Sequence, residues 1–141
     1  AVFALYCAAQ IAGGIAGTML AHGMFEQPLV QFSTHVRTGV GQWLAEAVAA
    51  FGLLLTIFSL RRSKPDTIPK LVGLYIAAAY WFTASTSFAN PAVTIARTLT
   101  DTFAGIRPTD APAFIAAQIA GALAAMVIFK LMFTARTNAP Q

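Results

Sequence analysis

Few side chains in this sequence could do chemistry, and most of them lie in or beside long apolar runs. Glu46 falls about one turn inside a run that reaches from about Gln42 to Leu60. An acid at that depth is expensive to bury and is usually paired or hydrogen-bonded within a bundle. No second carboxylate lies in the apolar runs to hand a proton on. Glu46 therefore reads as an acceptor for backbone N–H groups rather than as a proton relay. His22 and His35 are thirteen residues apart with no third ligand nearby, and they read as solvated loop residues rather than metal ligands. Cys7 is alone, which excludes an intrachain disulfide and the paired-cysteine metal or redox motifs. It reads as a small buried apolar side chain. No nucleophile–base pair and no ligand cluster falls within the apolar runs, so no enzyme, no metal and no cofactor is expected.

The most informative stretch is Ser87–Phe88–Ala89–Asn90–Pro91–Ala92–Val93–Thr94–Ile95–Ala96–Arg97. Its head is too polar for mid-helix, yet an almost unbroken apolar run precedes it. Asn at an N-cap followed by Pro at the first helical position is a helix-start signal. The local reading is a break, then a short helix from Pro91 to about Phe103, with Gly105 available as its stop. A helix start at the end of an apolar segment presents positively polarised N–H groups, and the Asn90 amide, at membrane depth.

The elements that must position these residues are membrane spans. The chain is 57% hydrophobic and 10% charged, whereas a soluble domain carries about a quarter charged residues. Apolar segments at about 1–21, 42–60, 68–84 and 112–133 approach the ~20 residues needed to cross the hydrocarbon. Together with a half-helix at about 91–103 they predict a single all-α membrane domain over 1–141. Gly13 and Gly17 fit the small-xxx-small pattern that lets helices approach closely in lipid. The chain does not begin with Met and starts inside an apolar run, as a piece of a longer chain would. The net charge of +4 is spread among the spans and forms no patch, so no nucleic-acid partner is expected.

Arg61, Arg62, Lys64, Lys70, Lys130 and Arg136 cluster at two span ends, against Arg37 and Arg107 at the opposite ends. The positive-inside rule puts 61–70 and the C-terminus in the cytoplasm and 22–40 and 98–111 outside. A six-residue identity joins the first and last spans: Ala8-Ala9-Gln10-Ile11-Ala12-Gly13 recurs as Ala116-Ala117-Gln118-Ile119-Ala120-Gly121, offset by 108 residues. By the charge rule the two copies run in opposite directions, as in the inverted repeats of membrane transport proteins. A repeat partner of Asn90 would then fall at position −18 of this numbering (90 less 108), in sequence outside this chain.

Asn90-Pro91-Ala92 heading a half-helix, Glu46 with Gly52 six residues later, and Gln10 and Gln118 in matching contexts resemble the aquaporin and glycerol-facilitator (major intrinsic protein) family. The resemblance covers the family's C-terminal portion, from its third span to its sixth. It implies a partial inverted-repeat fold of four transmembrane helices plus a re-entrant half-helix. It also implies a passive channel for water or small neutral solutes, in a bacterial inner membrane, tetrameric when full length. By that similarity the Asn90 amide would donate to a passing molecule, and the carbonyls of Ser87, Phe88 and Ala89 would line the path. Glu46 would hold the re-entrant loop. Most members carry an arginine directly after this Asn-Pro-Ala, where this chain has Val93. Arg97 shares a face with Asn90 roughly 10 Å further along at ~1.5 Å per residue. It reads either as a charged ring nearer a wider, less polar mouth or as a side chain snorkelling to the interface. The filter position on the third span falls on Ala78 or Tyr80. A wide mouth suits glycerol or a neutral metalloid acid.

Two other readings compete. Broken helices also mark coupled secondary transporters, but these need ionisable residues for the coupling ion, and Glu46 alone is thin support. This chain by itself could also be an inactive part of a channel, because a lone half-helix leaves the polar Asn90 facing lipid or an unpaired cavity, at a cost.

Overall fold

The computed structural model describes residues 2–61 and 63–137, with residues 133–137 described by their backbone alone. Arg62, the Arg136 side chain and the tail beyond Thr137, on which part of the charge reading rests, lie outside what is described. The described residues form helices and connecting loops without a strand: α1 (Val2–Met24), α2 (Val40–Leu60), a 3-10 turn (Pro65–Thr67), α3 (Ile68–Phe82), α4 (Pro91–Arg97) and α5 (Ala111–Thr137). α1, α2 and the Ala111–Met132 part of α5 are long and apolar enough to cross a membrane, which makes this an integral membrane protein. α3 has 15 residues, about 22 Å at 1.5 Å per residue, short of the ~30 Å hydrocarbon core. It stops at Phe82, two residues before the expected end, because Thr83 turns extended and its hydroxyl donates to the Ala79 carbonyl at 2.6 Å.

α4 is shorter than its sequence pattern. It ends at Arg97 rather than near Phe103, because the carbonyls that the next turn would use are taken from elsewhere. The Arg97 carbonyl accepts the Ile106 N–H at 3.1 Å, and the Thr98 carbonyl accepts the Ser33 N–H at 2.9 Å. Gly105 is not a helix stop. It is a point of close approach, where a Cβ would run into Ser33 and the Thr100 carbonyl.

Contacts fix the directions of the helices. Glu46 meets Gln118, Gly121 lies on the Ala47 backbone, and Phe58 packs on Phe129 with ring centroids 5.6 Å apart. Positions rise together along α2 and α5, so the two helices are parallel and Arg61 and Lys130 share an end. α1 runs beside α4, with Gln10 at Asn90, Gly14 at Ala96 and His22 at Thr100. It therefore points toward the end where α5 begins, and the two copies of the repeat are antiparallel. Close approach of α1 to α4 is made by Gly14, whose Cβ would lie 3.1 Å from Ala96 Cβ, while Gly13 and Gly17 face open space. The expected Gly13–Gly17 pair thus makes no close approach among the described residues, and the neighbouring Gly14 makes it instead. α2 and α3 meet where Gly52 leaves room for the Tyr75 ring, whose hydroxyl donates to the Ala49 carbonyl at 3.0 Å.

Candidate functional site: a re-entrant loop between two buried charges

Between α3 and α4 the chain leaves helix for residues 83–90 and re-enters it at Pro91. Thr86, Ser87 and Ala89 take left-handed backbone angles, with φ of 64°, 49° and 54°. That conformation costs non-glycine residues roughly 1–2 kcal/mol each, so something must hold it. Glu46, fully buried, is one of the holders. Its Oε1 accepts the Phe88 N–H and its Oε2 the Ala89 N–H, both at 2.9 Å. Gln118 Nε2 donates to Glu46 Oε2 at 2.6 Å and to Thr94 Oγ1 at 2.8 Å. The buried amide of α5 thus ties the carboxylate of α2 to the half-helix.

Asn90 caps α4 in extended conformation, its Oδ1 accepting the Ala92 N–H at 2.8 Å. Its Nδ2 donates to Gln10 Oε1 at 3.3 Å. Gln10 places Asn90 about 12 Å along α1 from one end and about 21 Å from the other, at 1.5 Å per residue. Unwound backbone at that depth is tolerated where it is buried in protein or lines a water-filled cavity. On one side of α4, a cavity of about 610 Å³ is lined by Cys7, Gln10, Ala89, Asn90 and Pro91 among others. On the other, a cavity of about 700 Å³ is lined by Thr18, His22, Val93, Arg97 and Thr100 among others. Asn90 and Arg97 share a helix face by spacing, but they open onto different cavities. The two stand at opposite ends of α4, and the Arg97 side chain lies over the Phe88 ring, its Cζ 4.2 Å from the centroid.

Phe88, Ile106 and Phe114 form a buried apolar cluster with Val93 packed against it. Ser87 is buried beside them. Of the two candidate filter residues on α3, Ala78 is exposed and Tyr80 is half-buried. The Tyr80 phenol is close enough to Arg37 and Arg97 to interact with both charges.

Two buried side chains in this region were not apparent from residue type and spacing. Arg37, a loop charge by sequence, is 5% exposed. Its Nε, Nη1 and Nη2 donate to the carbonyls of Gly105, Ser85 and Phe103 at 2.7, 3.1 and 2.7 Å. Burial pulls its pKa below the usual arginine value, against the supporting fields of Glu46 and Tyr80. His22, expected in a solvated loop, lies inside α1 and is buried. Its Nδ1 pairs with the Leu29 carbonyl and its Nε2 with Thr100 Oγ1, both at 2.9 Å. The signal for both was their place at the end of a span, but Thr100 and the three partners of Arg37 lie far away in sequence.

A membrane bundle whose chain re-enters at a capped asparagine, with an antiparallel repeat on its first and last helices, has the inverted-repeat architecture of membrane transport proteins. The major intrinsic protein family model matches residues 66–141, and the chain belongs to that family. It is 58% identical over 127 residues to the aquaglyceroporin AqpS of Rhizobium meliloti (strain 1021), an alignment covering 90% of this chain and 54% of that one. The chain thus spans about half the length of this relative. No solved structure matches it.

Proposed function

We propose that the intact protein is a passive channel for water and small neutral solutes of the glycerol or metalloid-acid kind, with solute passing Asn90. The observation that carries this reading is the unwound stretch at bundle mid-height, held by a buried acid that accepts from three donors. A coupled transporter needs an ionisable group free to bind its coupling ion, and Glu46 is not free. The name of the aquaglyceroporin relative supports the same solute class.

In this reading a solute oxygen competes with Gln10 for the Asn90 Nδ2 donor, and the backbone of Ser87, Phe88 and Ala89 offers the acceptors. Val93 leaves the mouth wide, and Arg97 and Tyr80 supply its polar rim. The residues that would complete the path lie outside this sequence. α1 has His22 as its single buried residue among those described, and its apolar faces want a cover that α2 supplies to α5. The intact protein is read as a homo-tetramer in the bacterial inner membrane, with 61–70 and the C-terminus cytoplasmic. The parallel course of α2 and α5 supports their common side. Vesicle swelling tests the mouth: Val93→Arg should lower glycerol flux about tenfold more than water flux, the scale of one ~1.4 kcal/mol difference. Equal loss of both would remove Val93 from the filter.

A further inference from the structure

Charges of opposite sign hold the loop that carries Asn90: Glu46 binds it directly, and Arg37 ties it at Ser85 to the loop that follows α4. Glu46 accepts N–H groups from Phe88 and Ala89, and Arg37 takes the carbonyls of Ser85, Phe103 and Gly105. The Arg37 backbone N–H is itself fixed by Asp110 Oδ2 at 2.9 Å. The Phe88 ring serves two cations, with Cζ of Arg37 5.2 Å and Cζ of Arg97 4.2 Å from its centroid. The two guanidinium carbons are thus within about 10 Å, one Debye length at 0.1 M salt, and screening between buried groups is weaker still. Among the described residues no salt bridge holds Arg97, and its buried Nη1 has no partner. Arg97 lies over the Phe88 ring, which the guanidinium of Arg37 also approaches.

We propose that Arg37 is a positioning residue for solute selection: by tying Ser85 to Phe103 and Gly105 and approaching the Phe88 ring, it sets where Arg97 stands in the mouth cavity, and so the largest solute admitted. This rests on the channel reading above. Arg97 meets the solute, and Arg37 acts through it. A lysine would keep the charge but lacks the planar fork that holds three carbonyls at once.

The test uses the full-length protein in lipid vesicles, with water and polyols of increasing size. Arg37→Lys and Arg97→Gln should each shift the glycerol-to-water permeability ratio about three- to fivefold, and the double variant should show no added shift, as for residues acting through one contact. Phe88→Leu, which spares the carbonyl bonds but removes the ring, should shift the ratio in the same direction. A wild-type ratio in Arg37→Lys, or additive shifts in the double variant, overturns the proposal. A second readout is independent of flux. Ala104 lines the mouth cavity with Arg97. With Ala104→Cys as the only thiol, Cys7→Ala included, the relative rates of a cationic and a neutral thiol reagent report the local field. Arg37→Lys preserves net charge, so a change of about threefold in that ratio reports displacement of Arg97. An unchanged ratio contradicts the proposal. Absence of any flux in the wild type would sink the channel reading, while the thiol rates still decide the role of Arg37.

Discussion

At the scale of single residues, a buried carboxylate and a buried guanidinium divide the work of holding one unwound loop. Glu46 satisfies two of its donors and Arg37 one of its acceptors, the Ser85 carbonyl, so a main chain with three left-handed residues in four survives without a regular ladder. Glu46→Ala leaves the Phe88 and Ala89 N–H groups without their acceptor, at about 1–3 kcal/mol each. Its thermal midpoint in detergent should fall well below that of Glu46→Gln, which keeps one acceptor oxygen. Equal midpoints for the two variants would mean that the loop is held by something else. Glu46 and the Asn90–Pro91 start were legible in the sequence because each breaks a local rule, a charge inside an apolar run and a cap at the end of one. Arg37 was not, because its partners lie 48, 66 and 68 residues away and an exposed loop arginine looks the same on paper. Gln118 stood out as a repeat copy, but nothing local said that it would bridge Glu46 and Thr94.

At the scale of elements, the connection between α1 and α2 is strapped along the loop that follows α4. Thr34 gives Asp101 Oδ1 its N–H at 2.7 Å and its hydroxyl at 2.9 Å. The His35 carbonyl accepts the Arg107 N–H at 2.8 Å, and Asp110 pairs with Arg107 at 2.9 Å. The Thr34 backbone and hydroxyl bonds hold the Asp101 carboxyl below its ordinary pKa. Burial works against ionised Asp110, but the bonds from Arg107 and the Arg37 N–H outweigh it and lower that pKa too. A carboxylate whose pKa is lower folded than unfolded stabilises fully above the unfolded value, and that contribution is lost as pH falls through the folded value. Pepsin cutting within 25–39 should therefore accelerate below about pH 4, near the ordinary carboxylate value. Asp110→Ala should raise the cutting rate at every pH and flatten that rise, and a rise left at full size would contradict the assignment. This strap also explains why the end of α4 was misjudged from sequence. Gly105 is the first helix-stop residue that the sequence offers after Arg97, but the Ile106 and Ser33 N–H groups, distant in sequence, take the carbonyls of Arg97 and Thr98.

At the scale of the whole molecule, the repeat is half dressed. In one copy Gln118 is buried on Glu46 and Gly121 lies against the Ala47 backbone; in the other Gln10 is exposed and Gly13 faces open space. Identical residues in antiparallel helices have met different surroundings because α5 has α2 beside it and α1 has no such neighbour here. The directions of the helices could be read from the charge rule, since positive ends and chain order suffice for that. Which glycine would face a neighbour could not, because it depends on which side of α1 the short helix falls.

The central claim is that uncharged molecules pass the Asn90 turn without an energy source. Stopped-flow light scattering on vesicles holding the full-length protein, with and without an imposed proton gradient, tests it most directly. The account predicts glycerol and water fluxes well above protein-free vesicles, unchanged by the gradient and reduced by Asn90→Asp. Flux that appears only with the gradient, or none above bare lipid, would contradict it.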